Sequence, residues 1–460
     1  MSLIKSISGI RGTIGGKVDE NLTPLDVVKF TSAFGTWLQN NKNKKDLTLV
    51  VGRDARISGS MVNSLVTATL QGLGINVVDL GLSTTPTVEV MVPELNADGG
   101  IILTASHNPK QWNALKLLNE KGEFINGENG ADVLALAESE HFNYAEVDDL
   151  GKYETRDDAF DIHIKKILDL PMVDAEAIKA KKFKVVVDAV NSTGGIAIPQ
   201  LLEELGCEVV KLYCEPNGQF PHNPEPLKEH LGDICELVKK EKADLGIVVD
   251  PDVDRLALVD ENGELFGEEY TLVAVADYLL KNKKGSAISN LSSSRALRDV
   301  ARNLGSEYFA SAVGEVNVVT LMKEKSAVIG GEGNGGIIYP DLHYGRDSLV
   351  GVALFLTHLA KENKTVSELR ATYPSYFMGK KKIELTPDID VDVLLTKMEK
   401  EYQNEEISTV DGVKIDFEKN WVHLRKSNTE PIIRIYTEAF SQEEADQLGD
   451  QMIEKIKSLI

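Results

Sequence analysis

Short runs of β-branched and other apolar residues alternate with longer segments of helical periodicity through the first two thirds of the chain. This alternation is typical of a largely parallel sheet flanked by helices, because each parallel crossover needs a return segment. It therefore predicts an α/β fold. Helices are predicted at residues 60–73 and 272–280, where apolar residues recur three or four apart. Strands are predicted at residues 47–52, 77–80, 100–104, 184–188, 208–213, 245–250 and 327–330.

Three of the predicted strands end in loops that are rich in polar residues or glycine. These loops are residues 104–109 (TASHNP), 250–255 (DPDVDR) and 330–336 (GGEGNGG). Ligands bind at the carboxyl ends of the strands in parallel α/β sheets. The three loops therefore predict three domains that face one cleft.

The pattern changes near Tyr373, where strand-like runs separated by turns precede a final amphipathic helix. This change predicts a smaller α+β domain at the C-terminus, with a polar loop at residues 425–431 (RKSNTEP). A length of 460 residues fits three or four domains. The apolar side of the last helix carries Leu448, Met452, Ile456 and Leu459.

The balance of charge restricts the partners. Fifty basic residues against 72 acidic ones leave a net charge of −22, which opposes attraction to nucleic acid or to an anionic bilayer. We expect neither partner, and a small anionic substrate would need local Arg, Lys and backbone N–H groups. Residues 1–12 lack the apolar core of a signal peptide, and no stretch approaches the ~18 apolar residues of a membrane span. A cytoplasmic protein is therefore expected.

Asp250, Asp252 and Asp254 bring three carboxylates within five residues. Such close like charges repel unless a cation neutralises them, and a hard divalent ion prefers oxygen ligands. An EF-hand is excluded, because Arg255 stands where that loop needs glycine and the flanking residues are strand-like. A solvated acidic turn remains the alternative to a metal site.

The glycine-rich loop at residues 330–336 fits the dinucleotide pattern GxGxxG, but no helix pattern follows it. Its glycines more readily allow the backbone to approach a ligand closely around Glu332. Glu332 is then a candidate for hydrogen bonds to sugar hydroxyls, or simply an acidic loop residue.

Two further polar runs allow more than one interpretation. Residues 425–431 offer guanidinium, hydroxyl and amide donors that suit a phosphate, although polar turns of this kind are common. Ser106 and His107 suggest a hydrolase, but adjacent side chains rarely point in the right directions and no GxSxG motif surrounds the serine. A hydrolase is therefore disfavoured.

Residues 104–109 and 250–255 together resemble motifs of the α-D-phosphohexomutase superfamily. In the same order along the chain, residues 9–12 (GIRG) resemble its N-terminal arginine loop, 330–336 its sugar-binding loop and 425–431 its phosphate-binding loop. The resemblance covers essentially the whole chain. It implies three related α/β domains with mixed or mostly parallel sheets and a smaller α+β domain, all around a central cleft. The implied domains are residues 1–150 with the phosphoserine loop, 151–255 with the metal loop, 256–370 with the sugar loop and 371–460 with the phosphate loop.

The resemblance also implies a role for individual residues. The implied catalytic residues are Ser106, Lys116, Arg11 and His107, with Lys116 as general acid or base and His107 shaping the serine loop. The implied ligands of Mg²⁺ are a phosphorylated Ser106 and Asp250, Asp252 and Asp254. The implied substrate-binding residues are Arg255, Glu332, Asn334, Arg425, Ser427, Asn428 and Thr429.

The implied reaction interconverts a hexose 6-phosphate and a hexose 1-phosphate, with a hexose 1,6-bisphosphate as intermediate and activator. Residues 9–12 favour phosphoglucosamine mutase, whereas residues 427–430 (SNTE) resemble phosphomannomutase/phosphoglucomutase as much, and we choose the first. A sugar-phosphate-binding regulator without turnover and a phosphatase are the alternatives. The small-molecule sugar phosphate is the expected partner, and the oligomeric state is not predicted.

Overall fold

The computed structural model describes residues 2–6, 9–42, 44–386, 389–426 and 432–459. It divides the chain into two compact units. One unit is Met1–Thr271 with Asn334–Leu369, and the other is Leu272–Gly333 with Arg370–Ile460. Within the described residues, no helix combines the length and the apolarity that crossing a bilayer requires.

The first unit begins with a seven-stranded mixed sheet and four helices. Its strands are β1 (Ile4–Ser6), β2 (Gly9–Thr13), β3 (Thr48–Arg53), β4 (Asn76–Leu82), β5 (Gly99–Leu103), β6 (Trp112–Leu118) and β7 (Tyr153–Thr155). Its helices are α1 (Pro24–Asn41), α2 (Gly59–Gly72), α3 (Thr85–Glu94) and α4 (Gly127–Ser139), followed by a 3₁₀ turn at Val147–Asp149. The strand order is β1-β2-β6-β5-β3-β4-β7.

In this sheet β3, β4, β5 and β7 are parallel, whereas β6 runs antiparallel to both β5 and β2. One face buries Phe30 and Phe34 of α1, and the other face buries Val88 and Met91 of α3. The carboxyl ends of β3 and β5 therefore lie at the same edge, where their loops can meet.

A second, four-stranded sheet follows in the same unit. Its elements are α5 (Ala159–Leu168), α6 (Ala175–Lys181), β8 (Lys184–Asp188), α7 (Gly194–Glu204), β9 (Glu208–Leu212), a 3₁₀ turn at Lys228–His230, α8 (Gly232–Glu241), β10 (Leu245–Val249) and β11 (Leu256–Val259). The order is β11-β10-β8-β9, in which only the β10–β11 pair is antiparallel among these strands.

The next segment contains α9 (Glu268–Asn282), β12 (Ala287–Asn290), α10 (Arg295–Asn303), β13 (Tyr308–Ser311), α11 (Glu315–Lys325), β14 (Ile329–Glu332), β15 (Gly336–Ile338), α12 (Ser348–Glu362) and α13 (Val366–Arg370). In the second unit β12 pairs in parallel with both β13 and β14. This alternation of strands and helices confirms the predicted third α/β region.

The C-terminal segment has an antiparallel sheet in the order β16-β20-β19-β18-β17. Its elements are β16 (Phe377–Glu384), α14 (Val391–Glu401), β17 (Glu406–Ser408), β18 (Val413–Asp416), β19 (Trp421–Lys426), β20 (Ile432–Ala439) and α15 (Gln442–Leu459). The predicted apolar side of α15 packs on this sheet, with Leu448, Met452 and Ile456 buried in its core. The predicted smaller α+β domain is confirmed.

The seven predicted strands all exist, with bounds within two residues of the prediction, and the two predicted helices lie in α2 and α9. The sequence pattern does not predict β6, because Lys116 interrupts its apolar run. The domain boundaries at 150, 255 and 370 stay a prediction.

Candidate active site

Ser106 lies in the loop after β5, in the first unit. It is buried, its backbone adopts a φ of +47°, and its N–H donates to Thr104 Oγ1 at 2.9 Å. The hydroxyl donates to Asp250 Oδ2 at 2.7 Å. A left-handed backbone is unfavourable for serine, so the loop must be held by its surroundings.

Arg56 holds this loop from the end of β3. Its side chain is 0% exposed, and its Nε donates to Asp54 Oδ2 at 2.9 Å. Thr104 Oγ1 donates to the same carboxylate oxygen at 2.7 Å. The guanidinium nitrogens donate to the carbonyl oxygens of Ser106, Asn108, Pro109 and Trp112. The buried guanidinium group of Arg56 therefore fixes both ends of the serine loop.

The acidic loop follows β10. Asp250, Asp252 and Asp254 are each 0% exposed, and ligand oxygens of the three lie within 4.8 Å of one another. Asp250 Oδ1 accepts the backbone N–H groups of Asp254 and Arg255, both at 3.1 Å. Val253 has a φ of +66°, which is costly for a β-branched residue. Complete burial excludes the solvated acidic turn that the sequence left open.

Besides Ser106, three cationic side chains and one hydroxyl face the acidic loop, and one of these cations, Arg255, has its Nε 4.0 Å from Asp254 Oδ1. Lys116 Nζ lies 2.7 Å from Asp252 Oδ2 and 3.6 Å from Asp254 Oδ2. Arg346 Nη2 donates to Asp254 Oδ2 at 2.6 Å. The Thr85 hydroxyl, at the start of α3, donates to Asp252 Oδ2 at 2.7 Å. Residues that are distant in sequence thus compensate the repulsion between the carboxylates.

These contacts shift the pKa values of Asp250 and Asp252 in opposite directions. Burial, with the charges of Asp254 and Asp252, raises the pKa of Asp250 well above its usual value. Burial alone would raise the pKa of Asp252, but Lys116 outweighs it and the pKa is lowered. Burial alone would lower the pKa of Lys116, but the two carboxylates raise it. Lys116 is therefore an ammonium ion at neutral pH.

The acidic loop also has the ligand oxygens that a cation needs. Among the described residues, Asp252 Oδ1 and Asp254 Oδ1 are buried without a hydrogen-bond partner. A buried carboxylate oxygen left in this way costs free energy unless a cation or a donor satisfies it. With Asp250, these residues form a group of three acids that could hold a metal ion. A set made only of carboxylates suits a hard divalent ion.

Arg11 and Lys116 lie on the same face of the first sheet. Pairing of β2 with β6 sets Arg11 opposite Ala114, and side chains alternate along β6, so Lys116 shares that face. Burial lowers the pKa of Arg11, and its buried Nε has no hydrogen-bond partner in the part of the chain that is described. An anion would satisfy this donor.

His107 approaches the serine, with its Nδ1 3.4 Å from Ser106 Oγ. These adjacent side chains therefore do approach each other, although a hydrolase stays disfavoured. Burial and the positive charge of Arg255 nevertheless lower the pKa of His107 to about 3, and the hydroxyl donates to Asp250. His107 is thus a neutral neighbour of the serine. Arg255 Nη1 lies 3.3 Å from Glu225 Oε1.

Asn334 belongs to the glycine-rich loop and lies in the first unit. Its Oδ1 accepts the N–H of Gly336 at 3.2 Å. The neighbouring Gly335 has a φ of +84°, and a Cβ there would lie 2.3 Å from the carbonyl oxygen of Leu256. At Gly335 the close approach is therefore made to protein backbone, and the predicted approach of Gly331, Gly333 and Gly336 to a ligand stays a prediction.

The second unit carries two other predicted substrate residues. Glu332 is buried at the end of β14, and its Oε1 accepts from Asn290 Nδ2 at 3.0 Å and from the N–H of Gly314 at 3.3 Å. Arg425 lies in β19 with its Nε 2.8 Å from Asp411 Oδ2. The predicted phosphate-loop residues Ser427, Asn428 and Thr429 lie outside the described residues.

Sequence reasoning missed several residues of the site. Asp54 and Arg56 follow the apolar run of β3, so the strand-end criterion that found Ser106 could have found them. Thr85 and Arg346 gave no comparable signal, because their contacts with the acidic loop join segments far apart in the chain.

Comparisons with known proteins find matches along almost the whole chain. Residues 3–144, 161–263 and 267–376 match the alpha/beta/alpha domains I, II and III of phosphoglucomutase/phosphomannomutase, and residues 382–455 match the C-terminal domain. A Thermococcus kodakarensis protein named phosphoglucomutase/phosphomannomutase is 38% identical over 96% of this chain and 98% of its own length. A Sulfurisphaera tokodaii phosphoglucosamine/phosphogalactosamine mutase is 33% identical, over 98% of both chains. The crystal structure of a phosphoglucomutase/phosphomannomutase family protein from Burkholderia thailandensis superposes with a TM-score of 0.85 at 26% identity, covering 99% of this chain and 98% of the other.

Replacing Arg56 with lysine should destabilise the first unit. One ammonium cannot reach the four carbonyl oxygens and Asp54 together, which leaves buried acceptors unsatisfied. We expect a loss of about 2–4 kcal/mol in the unfolding free energy, measured by urea denaturation. The matched change Arg53→Lys disturbs one half-buried contact to the Asp54 carbonyl and should cost less than about 0.5 kcal/mol. Equal losses of unfolding free energy in the two variants would contradict this role of the Arg56 guanidinium group.

Proposed function

The chain belongs to the phosphoglucomutase/phosphomannomutase family and is a phosphohexomutase, an intramolecular phosphotransferase; from this premise we propose that Ser106 carries the phosphoryl group. The observation that supports this role most directly is the 2.7 Å contact from Ser106 Oγ to Asp250 Oδ2 at the buried acidic loop. A phosphoryl group on that oxygen would lie beside the cation-binding acids.

Mg²⁺ is the cation we propose for Asp250, Asp252 and Asp254, together with a phosphate oxygen on Ser106. The two buried oxygens without partners and the all-oxygen donor set support this choice. When bound, the ion supplies positive charge that neutralises the carboxylates and polarises the phosphoryl group.

The surrounding side chains have separate tasks in this proposal. Lys116, an ammonium ion between two carboxylates, donates its proton to the sugar oxygen that leaves phosphorus, and its amine accepts the proton in the reverse direction. Arg11 and Arg255 stabilise the charge of the phosphoryl group; among the described residues the buried Nε of Arg11 has no hydrogen-bond partner, and the buried Nε of Arg255 has only the ion-pair contact with Asp254 at 4.0 Å. His107 stays neutral and shapes the serine loop.

The proposed cycle consists of two phosphoryl transfers. In the first, the bond between phosphorus and Ser106 Oγ breaks while a hydroxyl oxygen of the sugar monophosphate bonds to phosphorus; the sugar hydroxyl loses its proton and Ser106 Oγ gains one, which gives the hexose 1,6-bisphosphate and a free serine hydroxyl. In the second, the other phosphate of the reoriented bisphosphate returns to Ser106. Added bisphosphate would phosphorylate an empty Ser106 and so activate the enzyme.

Binding of the sugar and its distal phosphate is assigned to the remaining loops. We propose that Glu332 and Asn334 bind sugar hydroxyls and that Arg425 binds the phosphate that is not reacting. The Arg425 contact with Asp411 engages Nε, and a phosphate would use the two Nη groups. Ser427, Asn428 and Thr429 complete this proposal from the sequence pattern.

The sugar that we propose is glucosamine phosphate. Residues 9–12 support this choice, and a relative that is 33% identical bears the name phosphoglucosamine/phosphogalactosamine mutase. The name of the 38% identical relative supports the alternative, phosphoglucomutase/phosphomannomutase.

Changing Ser106 to alanine tests the carrier. Intact-protein mass spectrometry should find the mass of one phosphoryl group on a fraction of the wild-type chain and none on Ser106→Ala. Turnover should fall at least about a thousandfold, because the group that is transferred has no acceptor. The exposed helix residue Ser64 provides the control Ser64→Ala, which should retain both properties. Wild-type turnover in Ser106→Ala would disprove the mechanism, and release of inorganic phosphate in place of the isomer would indicate a phosphatase.

The metal proposal predicts loss of activity on chelation and recovery with Mg²⁺. In Asp252→Asn the concentration of Mg²⁺ that restores half of the activity should rise at least about tenfold, since one charged ligand is lost. The control Asp158→Asn removes a surface acid paired with Arg156 and should leave the Mg²⁺ requirement unchanged. An EDTA-treated enzyme with an undiminished rate would exclude the metal site.

The sugar is tested by comparing kcat/KM for the 6-phosphates of glucosamine, glucose and mannose. The proposal predicts a preference of at least about tenfold for glucosamine 6-phosphate, which corresponds to one specific contact at the 2-position. A higher value for glucose or mannose would assign the alternative activity while leaving the phosphoserine mechanism intact.

A further inference from the structure

A second cluster of metal-ligand residues lies in the first unit, outside the phosphoryl-transfer site. It consists of His163 in α5 and of His343 and Asp347, which precede α12. Asp347 Oδ2 lies 2.9 Å from His163 Nε2 and 3.2 Å from His343 Nε2. His163 is 0% exposed, Asp347 0% and His343 9%. The proposed reaction uses none of these three side chains.

The remaining polar atoms of the three side chains have partners that orient them. His163 Nδ1 lies 3.0 Å from Thr87 Oγ1. His343 Nδ1 lies 3.4 Å from the carboxylate of the buried Glu89. Asp347 Oδ1 accepts the backbone N–H groups of Leu349 and Val350, at 2.8 and 3.2 Å, as the N-cap of α12. His163 follows the pattern of metal-binding histidines, in which the other ring nitrogen makes a second hydrogen bond, whereas His343 Nδ1 only approaches the Glu89 carboxylate and makes no hydrogen bond to it.

We propose that His163 Nε2, His343 Nε2 and Asp347 Oδ2 bind one transition-metal ion, with Zn²⁺ as the best match. The three ligand atoms lie within 4.8 Å of one another. In a tetrahedral zinc site, bonds of ~2.0–2.2 Å place ligand atoms roughly 3.4 Å apart, so the observed separations need to open by a few tenths of an ångström. Glu89 faces the His343 ring as a carboxylate partner.

The chemistry of the donors separates this cluster from the acidic loop. The loop of Asp250, Asp252 and Asp254 offers oxygen ligands alone, which suit Mg²⁺ or another hard cation. Two imidazole nitrogens with one carboxylate favour zinc and its neighbours in the transition series. The cluster is almost closed to solvent, so a substrate has little access to it, and a four-coordinate ion held by these three side chains would take one further ligand such as water.

The backbone is also adapted to bring these groups together. Gly345 lies between His343 and Asp347, and a Cβ at this position would stand 1.8 Å from Glu89 Oε2. Glycine therefore lets the loop pass directly over the carboxylate. The three ligands come from α5 and from the segment before α12, so one ion would join two segments that are far apart in sequence, and Glu89 of α3 faces one of the ligands.

These segments contact the acidic loop directly. The N–H of Thr85, the first residue of α3, donates to the carbonyl oxygen of Asp252 at 2.9 Å. Arg346, next to Asp347, donates to Asp254, and the N–H of Ser348 donates to the carbonyl oxygen of Val253 at 3.1 Å. An ion at the histidine cluster would therefore stabilise the backbone that supports the phosphoryl-transfer site.

Cobalt substitution tests the proposal on the full-length chain. Co²⁺ is added to chelator-treated Asp252→Asn, in which the acidic loop is weakened, in the presence of excess Mg²⁺. We expect one Co²⁺ per chain with the intense visible absorption of a four-coordinate ion, and displacement of that absorption by one equivalent of Zn²⁺. His163→Gln and His343→Gln, each added to the Asp252→Asn background, should lower the Co²⁺ affinity more than about a hundredfold, and Glu89→Gln about ten- to a hundredfold.

The exposed His141 gives the matched control, because His141→Gln removes one histidine and should leave the Co²⁺ affinity unchanged. If the glutamine variants do not fold, X-ray absorption of the zinc-loaded Asp252→Asn chain decides, and two imidazole ligands are expected. Absence of bound Co²⁺ and Zn²⁺ in Asp252→Asn, full affinity in His163→Gln and His343→Gln, or a spectrum with oxygen ligands alone would each overturn the proposal. Loss of mutase activity in Asp252→Asn has no bearing on these readouts.

Discussion

Burial of three carboxylates at the end of one strand is the constraint on which the rest of the site depends. Asp250, Asp252 and Asp254 are removed from water, where the free energy of each charge would be lowest. Their repulsion is balanced by Lys116 from β6 and by Arg346 from the segment before α12. The fold of the first unit therefore has to bring β6 and the segment before α12 to the end of β10, where the acidic loop lies.

The α/β class and most of the strands can be predicted from sequence, because a strand buried on both faces has a continuous apolar run that is visible locally. The same local logic finds Ser106 and the three aspartates, since polar loops after such runs mark the ligand edge of a sheet. It fails for β6, where Lys116 interrupts the apolar pattern. The lysine lies inside a strand because two carboxylates from the acidic loop, more than 130 residues away, compensate its charge.

The residues that sequence reasoning missed share a physical cause. Arg346 and Thr85 meet the acidic loop only through the tertiary fold, and neither stands in a loop of unusual composition. His163 shows the same limitation, since a single histidine in a helix carries no local sign of its partner Asp347, which is 184 residues away in sequence. Arg56 is different, because it lies in the loop that follows an apolar strand. The rule that polar residues after such strands mark a functional site could therefore have found it.

The formal charges of the buried site link phosphorylation to cation binding. Three carboxylates face three cationic side chains, Lys116, Arg346 and Arg255, and Arg255 is shared with Glu225, so the site has no positive charge in excess before any phosphate is present. A phosphoryl group on Ser106 adds a charge of about −1.5 to −2, and the low dielectric of a buried site makes that addition unfavourable on its own. A divalent cation removes most of this cost, and by thermodynamic linkage the phosphoryl group must strengthen cation binding to the same extent. Burial, together with the charges of Asp254 and Asp252, raises the pKa of Asp250, and a proton is the alternative means by which the loop can reduce its negative charge. Protons and metal ions therefore compete for this loop, and occupancy by the metal should decrease as the pH falls.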